Sequence, residues 1–323
     1  MNSEIFSVII PTYRRPSVLD KTLQCLECQN CNFHFEVIVV NDGPPDQLPE
    51  LGFGEKKRRT WKLLQNEKNL GRATTRNRGI NSASGAYLLM LDDDIWAVPQ
   101  LIQAHYDKQK EIGGGVVVGA IPPAKENENT IWNRYIAERY NGIHLRLRSE
   151  ELDFGLFLTG NVSLPVNVLK QHGGFDEKFK EYSFEDSELG YRLVSNGIRF
   201  VHAAETIGYH CFNEDLNKIC TKEYEAGRSL SVFVKLHPEL YDKMEMRSMI
   251  LLPWKNIDII KNIAKLIMYS SILRILLKQL LKFLGSCNNE SMVFRLLPWL
   301  ELMHRAKGVE DSRVSGKHGK TVN

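Results

Sequence analysis

The chain has 323 residues, of which 43% are hydrophobic, 25% charged and 9% aromatic. That composition supplies one large core, or a core with an appendage, and excludes collagen, low-complexity disorder and small disulfide scaffolds. A balance of 42 Lys and Arg against 39 Asp and Glu, a formal +3, is too even for a protein that coats nucleic acid.

Residues 5–11 (IFSVIIP) and 35–41 (FEVIVVN) are β-branched runs ended by turn residues. Between them Val18, Leu19, Leu23 and Leu26 recur at helical spacing, so the chain opens as a βαβ unit with a helix over 17–29. A strand at 61–65, a helix at 73–83 and an apolar strand at 86–91 follow. Continuous apolar strands alternating with helices define an α/β fold with a mostly parallel sheet covered on both faces, whose ligand crevice lies at the carboxyl ends of the strands.

Beyond this point the pattern is less regular. Strands are predicted at 116–121, 157–159 and 199–202, and helices at 132–140, 185–195 (with Gly197 as its stop signal) and 222–236. A soft boundary falls at His237 and Pro238. It divides an α/β domain over 1–237 from a helical region over 238–307 and a polar, disordered tail over 308–323.

The stretch from Lys255 to Lys282 within the helical region carries the local positive charge: Lys255, Lys261, Lys265, Arg274, Lys278 and Lys282 accompany a single acid, Asp258. Its longest charge-free stretch, between Lys265 and Arg274, is eight residues, whereas a spanning helix needs about 20. The pattern fits a basic amphipathic helix lying on an anionic membrane surface, with a bundle packed on the α/β domain as the plainer alternative. No basic lead and apolar run open the chain, and six cysteines in this length suit a reducing, cytoplasmic compartment. Cys25, Cys28 and Cys31 recur every third residue but fall on the first helix without a fourth ligand, and they read as small core residues.

The chemistry concentrates at Asp92, Asp93 and Asp94, directly after an apolar strand. Alternate residues at a strand end project to one side, so Asp92 and Asp94 converge while Asp93 turns away or supports the loop. Two hard carboxylates can hold Mg2+ or Mn2+ against a diphosphate, although a solvated turn would have the same composition.

Several segments share their order with one family: SVIIPTYRRPSVLDKTL from Ser7, VIVVNDGP from Val37, NEKNLGRATTRNRGINSASGAYLLMLDDD from Asn66, TGNVSLP from Thr159, GGFDEKFKEYSFEDSELGYRL from Gly173, and Tyr209-His210. Across residues 7–237 the sequence resembles the family 2 glycosyltransferases, inverting enzymes of the glycosyltransferase A (GT-A) fold.

The resemblance implies a nucleoside-diphosphate sugar donor, a Mn2+ or Mg2+ cofactor and a hydroxyl acceptor on a glycan or lipid-linked oligosaccharide, at the inner face of the cell membrane. It places Pro11, Thr12, Tyr13, Asp42, Arg76, Asp92 and Asp93 at the nucleotide, with the Tyr13 ring toward the base, Asp42 accepting a base N–H and Asp92 at the ribose. Asp94 and His210 become metal ligands, Asp186 the base on the acceptor hydroxyl, and Glu185 its acceptor-binding partner. Each has a plainer reading: a turn residue for Asp42, acids complementing a helix N-terminus for Glu185 and Asp186, a structural histidine for His210.

No Gln-x-x-Arg-Trp sequence occurs, which favours transfer of a single sugar over polymer extrusion. No G-x-G-x-x-G follows the first strand, and no glycine-rich loop with Lys or Arg replaces Pro11, Thr12 and Tyr13, which disfavours a dehydrogenase or a nucleotidyltransferase. A catalytically inactive scaffold of the same fold at the membrane surface is the alternative function, and the intact acids speak against it.

Overall fold

Val8 and Ile10 of β1 (Phe6–Thr12) face one side of a sheet and Ile9 the other, and all three are fully buried. A strand buried on both faces needs neighbours on both edges and cover on both sides. In the computed structural model, which describes residues 5–45, 48, 55–56, 59–147, 152–240 and 267–318, β1 has both. It pairs in parallel with β2 (Phe35–Asn41), while β3 (Glu55–Lys56) pairs antiparallel with β4 (Arg59–Gln65), itself parallel to β2. On its other edge β1 pairs in parallel with β5 (Tyr87–Leu91).

The remaining strands are β6 (Ile95–Ala97), β7 (Val116–Ala120), β8 (Asn161–Pro165) and β9 (Phe200–His210). The described strands form a nine-stranded mixed sheet in the order β3-β4-β2-β1-β5-β8-β7-β9-β6.

Two apolar layers cover it. On one face Leu19, Leu23 and Leu26 of α1 (Pro16–Glu27) and Leu101 and Ile102 of α3 (Leu101–Ile112) pack on Val8, Val37 and Val39. Cys25 of α1 and Cys31, four residues beyond its end, lie partly buried in that layer, whereas Cys28 at the C-cap is exposed and not the core residue expected, because the helix stops at Glu27. On the opposite face Ala73 and Ile80 of α2 (Arg72–Ser82) pack on Ile9 and Ile38. Leu169 of α5 (Val166–Gln171) and Leu189 and Leu193 of α6 (Glu185–Ser195) complete that layer. Between α3 and α5 the chain forms α4 (Ile131–Arg146).

The strand expected at 157–159 is displaced. Asp153 caps a 3-10 turn over Phe154–Leu156, accepting from the Gly155 amide at 2.8 Å, and the strand forms four residues later as β8, antiparallel to β5 and β7. Phe157 is apolar because it packs beneath α6, not because it lies in the sheet. A Cβ on Gly190 of α6 would come within 2.5 Å of the Phe154 carbonyl and 2.8 Å of Phe157 Cβ, so that approach requires glycine. Strand β6 and helix α3 were not foreseen, and β9 runs well beyond the expected 199–202.

Strand β9 serves two ladders. It runs parallel to β7 until Ala203, opposite Gly119; the next pair is Ala120 with Ile207, so Ala204, Glu205 and Thr206 bulge out. Beyond the bulge it pairs antiparallel with β6, setting His210 opposite Ile95. Asn161 holds the bulge, its amide donating to the carbonyls of Ala120 at 3.1 Å and Thr206 at 2.8 Å. The buried His105, whose pKa burial pushes down to about 4, is neutral, so its Nε2–H donates to Asn161 Oδ1 at 2.8 Å and its Nδ1 accepts from Ser163 at 2.9 Å.

The chain divides into two compact units. The sheet unit comprises Met1–Asn127, Ala137–Lys180 and Glu185–Phe212, and the second unit comprises Glu128–Ile136, Glu181–Phe184 and Asn213–Asn323. Helix α7 (Leu216–Leu236), capped by Asp215, therefore belongs with α8 (Ser271–Ser286) and α9 (Glu290–His318), and the second unit begins before the boundary expected at 237/238. The basic residues Lys255, Lys261 and Lys265 lie outside the described residues.

Of the tail expected to be disordered over 308–323, residues 308–318 are helical, because α9 continues to His318, and 319–323 lie outside the described residues. Gly308 lets α9 press against α7, where a Cβ would overlap the Tyr224 carbonyl, and Val309 is buried. The Tyr224 hydroxyl also donates to Asp311 at 3.0 Å. Replacing Gly308→Val is expected to lower the unfolding temperature in a calorimetric scan, at an overpacking cost of about 1–3 kcal/mol; an unchanged transition would contradict this crossing.

Candidate functional site

Strands β1, β2 and β5 end side by side, and the residues that follow them meet at one edge of the sheet. Thr12 closes β1, Asp42 follows β2 and donates its amide to the Thr12 carbonyl at 2.9 Å, and Asp92 follows β5. This is where a parallel sheet forms its ligand crevice.

Arg76 organises the edge. It is 2% exposed on α2, so its charge needs anions within reach. It donates from Nη2 to Asp92 Oδ1 at 3.0 Å and from Nη1 to Glu185 Oε1 at 2.8 Å. Those two acids are far apart in sequence, and one guanidinium draws the start of α6 to the acidic turn. The Phe175 ring lies 5.5 Å from the guanidinium carbon, and Asn77 holds the 173–179 loop on α2 by donating to the Phe175 carbonyl at 2.9 Å. Arg192 secures α6 from its far end, pairing with Glu188 at 2.8 Å and donating to the His172 carbonyl.

Glu185 is 3% exposed, and its Oε2 has no hydrogen-bond partner among the described residues. Asp186 beside it is half-buried, with Oδ1 accepting the Ser187 amide at 2.7 Å. Burial, with Glu185 and Asp92 adding repulsion and Arg76 opposing them, pushes the Asp186 pKa up to about 7.

The three aspartates diverge. Asp92 meets Arg76 and keeps a third of its side chain exposed. Asp93 turns inward, accepting from the Thr12 hydroxyl at 2.7 Å, and its main-chain carbonyl accepts from Thr22 at 2.8 Å. Burial is the main cause that raises its pKa to about 7. It anchors the loop after β1, the supporting role that alternation at the strand end allows. Asp94 points to the far side, with Oδ1 3.4 Å from His210 Nε2. The ladder between β6 and β9 sets His210 in this position, and the rings of Tyr140 and Phe212 pack edge-on against it. Arg15, at the start of α1, pairs with Asp93 at 3.0 Å and with Asp94; sequence reasoning did not single it out.

Asp42 is at the crevice, but the loop before α2 already uses its carboxylate. It accepts from Asn66 at 2.7 Å and from the amides of Leu70 at 2.8 Å and Gly71 at 3.0 Å. That is nearer the turn-residue alternative than base recognition. Pro11 lies within β1, paired with Val40, whereas Tyr13 is 40% exposed beside Arg14, whose guanidinium lies 5.2 Å from its ring.

Asp94 and His210 supply an oxygen and an imidazole, a donor set that Mn2+ accepts, and the buried Nδ1 of His210 has no hydrogen-bond partner among the described residues. Among the described residues no group of three His, Cys, Asp or Glu side chains is placed to share an ion. Two protein ligands with diphosphate and water oxygens completing the shell are still within the habit of Mg2+, so the residues fit.

A mixed α/β sheet with an acidic turn after its fifth strand, flanked by a carboxylate pair on a helix, is the architecture of a GT-A glycosyltransferase. The chain belongs to glycosyl transferase family 2, whose model matches residues 7–175. It is 27% identical over 271 residues to a hyaluronan synthase of Pasteurella multocida, covering 74% of this chain and 28% of that protein. It is 29% identical over 273 residues to a validoxylamine A glucosyltransferase of Streptomyces hygroscopicus, covering 74% of this chain and 63% of that one. The chain thus spans less than two thirds of the length of either relative.

Among solved structures, the mannosyltransferase PcManGT of Pyrobaculum calidifontis, in complex with GDP-Man and Mn2+, aligns with a TM-score of 0.60 at 14% identity, over 95% of this chain and 86% of that one. Residues 1–349 of S. aureus TarS align with a TM-score of 0.50 at 17% identity, over 99% and 93%. Both share the fold.

Removing the central cation tests the construction. Arg76→Ala is expected to destabilise the protein in urea titrations by about 3–5 kcal/mol, because Glu185 is left buried and uncompensated. Glu185→Gln should recover part of that loss in the double variant; additive losses would show that the two residues do not act as a pair.

Proposed function

We propose that this chain is an inverting, divalent-metal-dependent transferase that moves one sugar from a nucleoside-diphosphate sugar to a hydroxyl acceptor. The observation that carries this reading is the Arg76 bridge, which brings the Glu185-Asp186 pair to the acidic turn at Asp92. Inversion requires a base on one side of the sugar and a charged leaving group on the other. Asp94 and His210 would hold Mn2+ or Mg2+, which when bound neutralises the charge that develops on the diphosphate.

Asp186 takes the proton of the acceptor hydroxyl as the acceptor oxygen bonds to the anomeric carbon and the bond from that carbon to phosphate oxygen breaks. Glu185 keeps its position through Arg76 and offers Oε2 to the acceptor. Tyr13 stacks on the base, with Pro11 and Thr12 shaping the wall beside it, Asp42 holding the loop before α2 through the Leu70 and Gly71 amides, and Asp92 at the ribose. Asp93 acts through the loop it anchors. The Mn2+ and GDP-Man bound by the Pyrobaculum mannosyltransferase support the cofactor and donor class.

A base with a pKa near 7 works only when ionised, so kcat/KM should fall about tenfold for each pH unit below 7. Asp186→Asn is expected to abolish transfer while nucleotide and Mn2+ binding survive. Loss of nucleotide binding with the fold intact would remove the assignment. The stability effect has a definite sign. The folded protein holds the Asp186 proton up to about pH 7, whereas an ordinary aspartate releases it near 3.8, so ionising this group costs stability as pH rises between those values. The Asn variant should be at least as stable as wild type at neutral pH.

The acceptor is a glycan or lipid-linked oligosaccharide on the inner face of the cell membrane, with the enzyme peripheral. No helix among the described residues is long and apolar enough to cross a membrane. Helix α8 instead buries Leu281 in the second unit and leaves Ile272, Ile275, Leu276 and Phe283 each more than half exposed, with Lys282 exposed as well. Arg274 and Lys278 are half-buried and face His304 on α9, whose pKa is lowered first by burial and then by these two cations, so the lipid contact rests on the apolar side chains and Lys282. In sedimentation with phosphatidylserine-containing vesicles, the double variant Leu276→Asp, Phe283→Asp should stay in the supernatant while wild type pellets. Equal pelleting would dispose of the membrane contact.

A further inference from the structure

Two arginines serve the acidic turn, and they differ in one respect. Arg76 is closed off from solvent, whereas Arg15 is 41% exposed in its side chain while the carboxylates it holds, Asp93 and Asp94, are 8% and 11% exposed. Arg15 therefore stands at the mouth of the acid pair with solvent behind it. Its backbone is the N-cap of α1 but makes no side-chain cap, so the guanidinium is committed to the acids alone. Arg14 before it adopts φ of 54°, a left-handed conformation uncommon for a side-chain-bearing residue, and this turn aims Arg15 toward the acids and Arg14 onto Tyr13.

Asp94 is the point of conflict. One oxygen, Oδ2, takes Arg15, and the other faces His210 Nε2 at 3.4 Å. A divalent ion at Asp94 and His210 would share a carboxylate with a guanidinium, and two cations on one small anion repel. Arg72 already lies near enough to repel Arg15 as well. Asp93 has an alternative partner in the Thr12 hydroxyl at 2.7 Å, so releasing Arg15 does not orphan it. A planar fork with solvent behind it is well matched to the oxygens of a diphosphate.

Resting on the metal-dependent reading above, we propose that Arg15 is an exchangeable cation. It holds Asp93 and Asp94 until a divalent ion claims Asp94, and then turns to the donor diphosphate. The arrangement makes metal and nucleotide reinforce each other: the ion displaces Arg15, the displaced guanidinium adds a contact to the nucleotide, and neither binds as well alone.

The test measures Mn2+ and nucleotide separately on the full chain. Free Mn2+ is followed by electron paramagnetic resonance, and UDP, GDP and dTDP are titrated calorimetrically at saturating Mn2+. Arg15→Gln should bind Mn2+ alone roughly fivefold more tightly and its preferred nucleotide roughly fivefold more weakly, the upper scale of an ion pair gained or lost near a surface. Arg15→Lys keeps the charge without the fork; it should shift both affinities the same way by roughly threefold. These opposite signs separate exchange from a structural clamp, whose loss would weaken both. Unchanged or weaker Mn2+ binding in the two variants overturns the proposal, as does unchanged nucleotide affinity. If wild type retains no Mn2+ with any of the three nucleotides, the metal-dependent reading falls, and this inference with it.

Discussion

A guanidinium sealed from water cannot stand alone, and the site is built around that constraint. Arg76 can be buried only because Asp92 and Glu185 come to it, and neither acid could remain there without the cation between them. One comes from the end of a central strand and the other from the first turn of α6. Their meeting converts two unrelated stretches of chain into opposite walls of one crevice. The same constraint shapes Asp186. Next to an anion already spoken for, and poorly hydrated, it holds its proton to near neutrality.

The other side of the acidic turn follows a looser logic. Asp93 is satisfied by a hydroxyl and by a cation that water can reach, and Asp94 faces an imidazole held by strand register. Charge is thus sealed from solvent around Arg76 and open to it around Arg15. That asymmetry suits a reaction in which the base keeps one geometry while the other wall receives, neutralises and releases a diphosphate.

Much of this could be read from the chain itself. Strands β1, β2 and β5 are continuous β-branched or leucine-rich runs, because each is buried on both faces, and the acids that follow them stand out against that background. Strand β8 was misplaced because the apolar signal at Phe157 comes from helix packing, while its true residues, NVSLP, include an asparagine and a serine that pair with His105 and neighbouring carbonyls inside the protein. Arg15 was invisible for a different reason. Its carboxylates lie almost eighty residues away, and nothing in YRRPS distinguishes a cation aimed at them from one in solvent. The end of the chain misled through composition, since glycine and charged residues suggest a loose tail, yet the missing side chain of Gly308 is what lets two helix backbones touch.

The three-residue bulge in β9 acts as a vernier between Asp94 and His210. Each residue of a strand advances it by about 3.3 Å, so losing or gaining one among Ala204, Glu205 and Thr206 would slide His210 along β6 by roughly the whole separation that now joins it to Asp94. Asn161, gripping the bulge from the adjoining strands, fixes that setting from within the core. Length changes that a surface loop would absorb are therefore intolerable here, and the spacing between the acidic turn and the late histidine is governed by a polar side chain that touches neither of them.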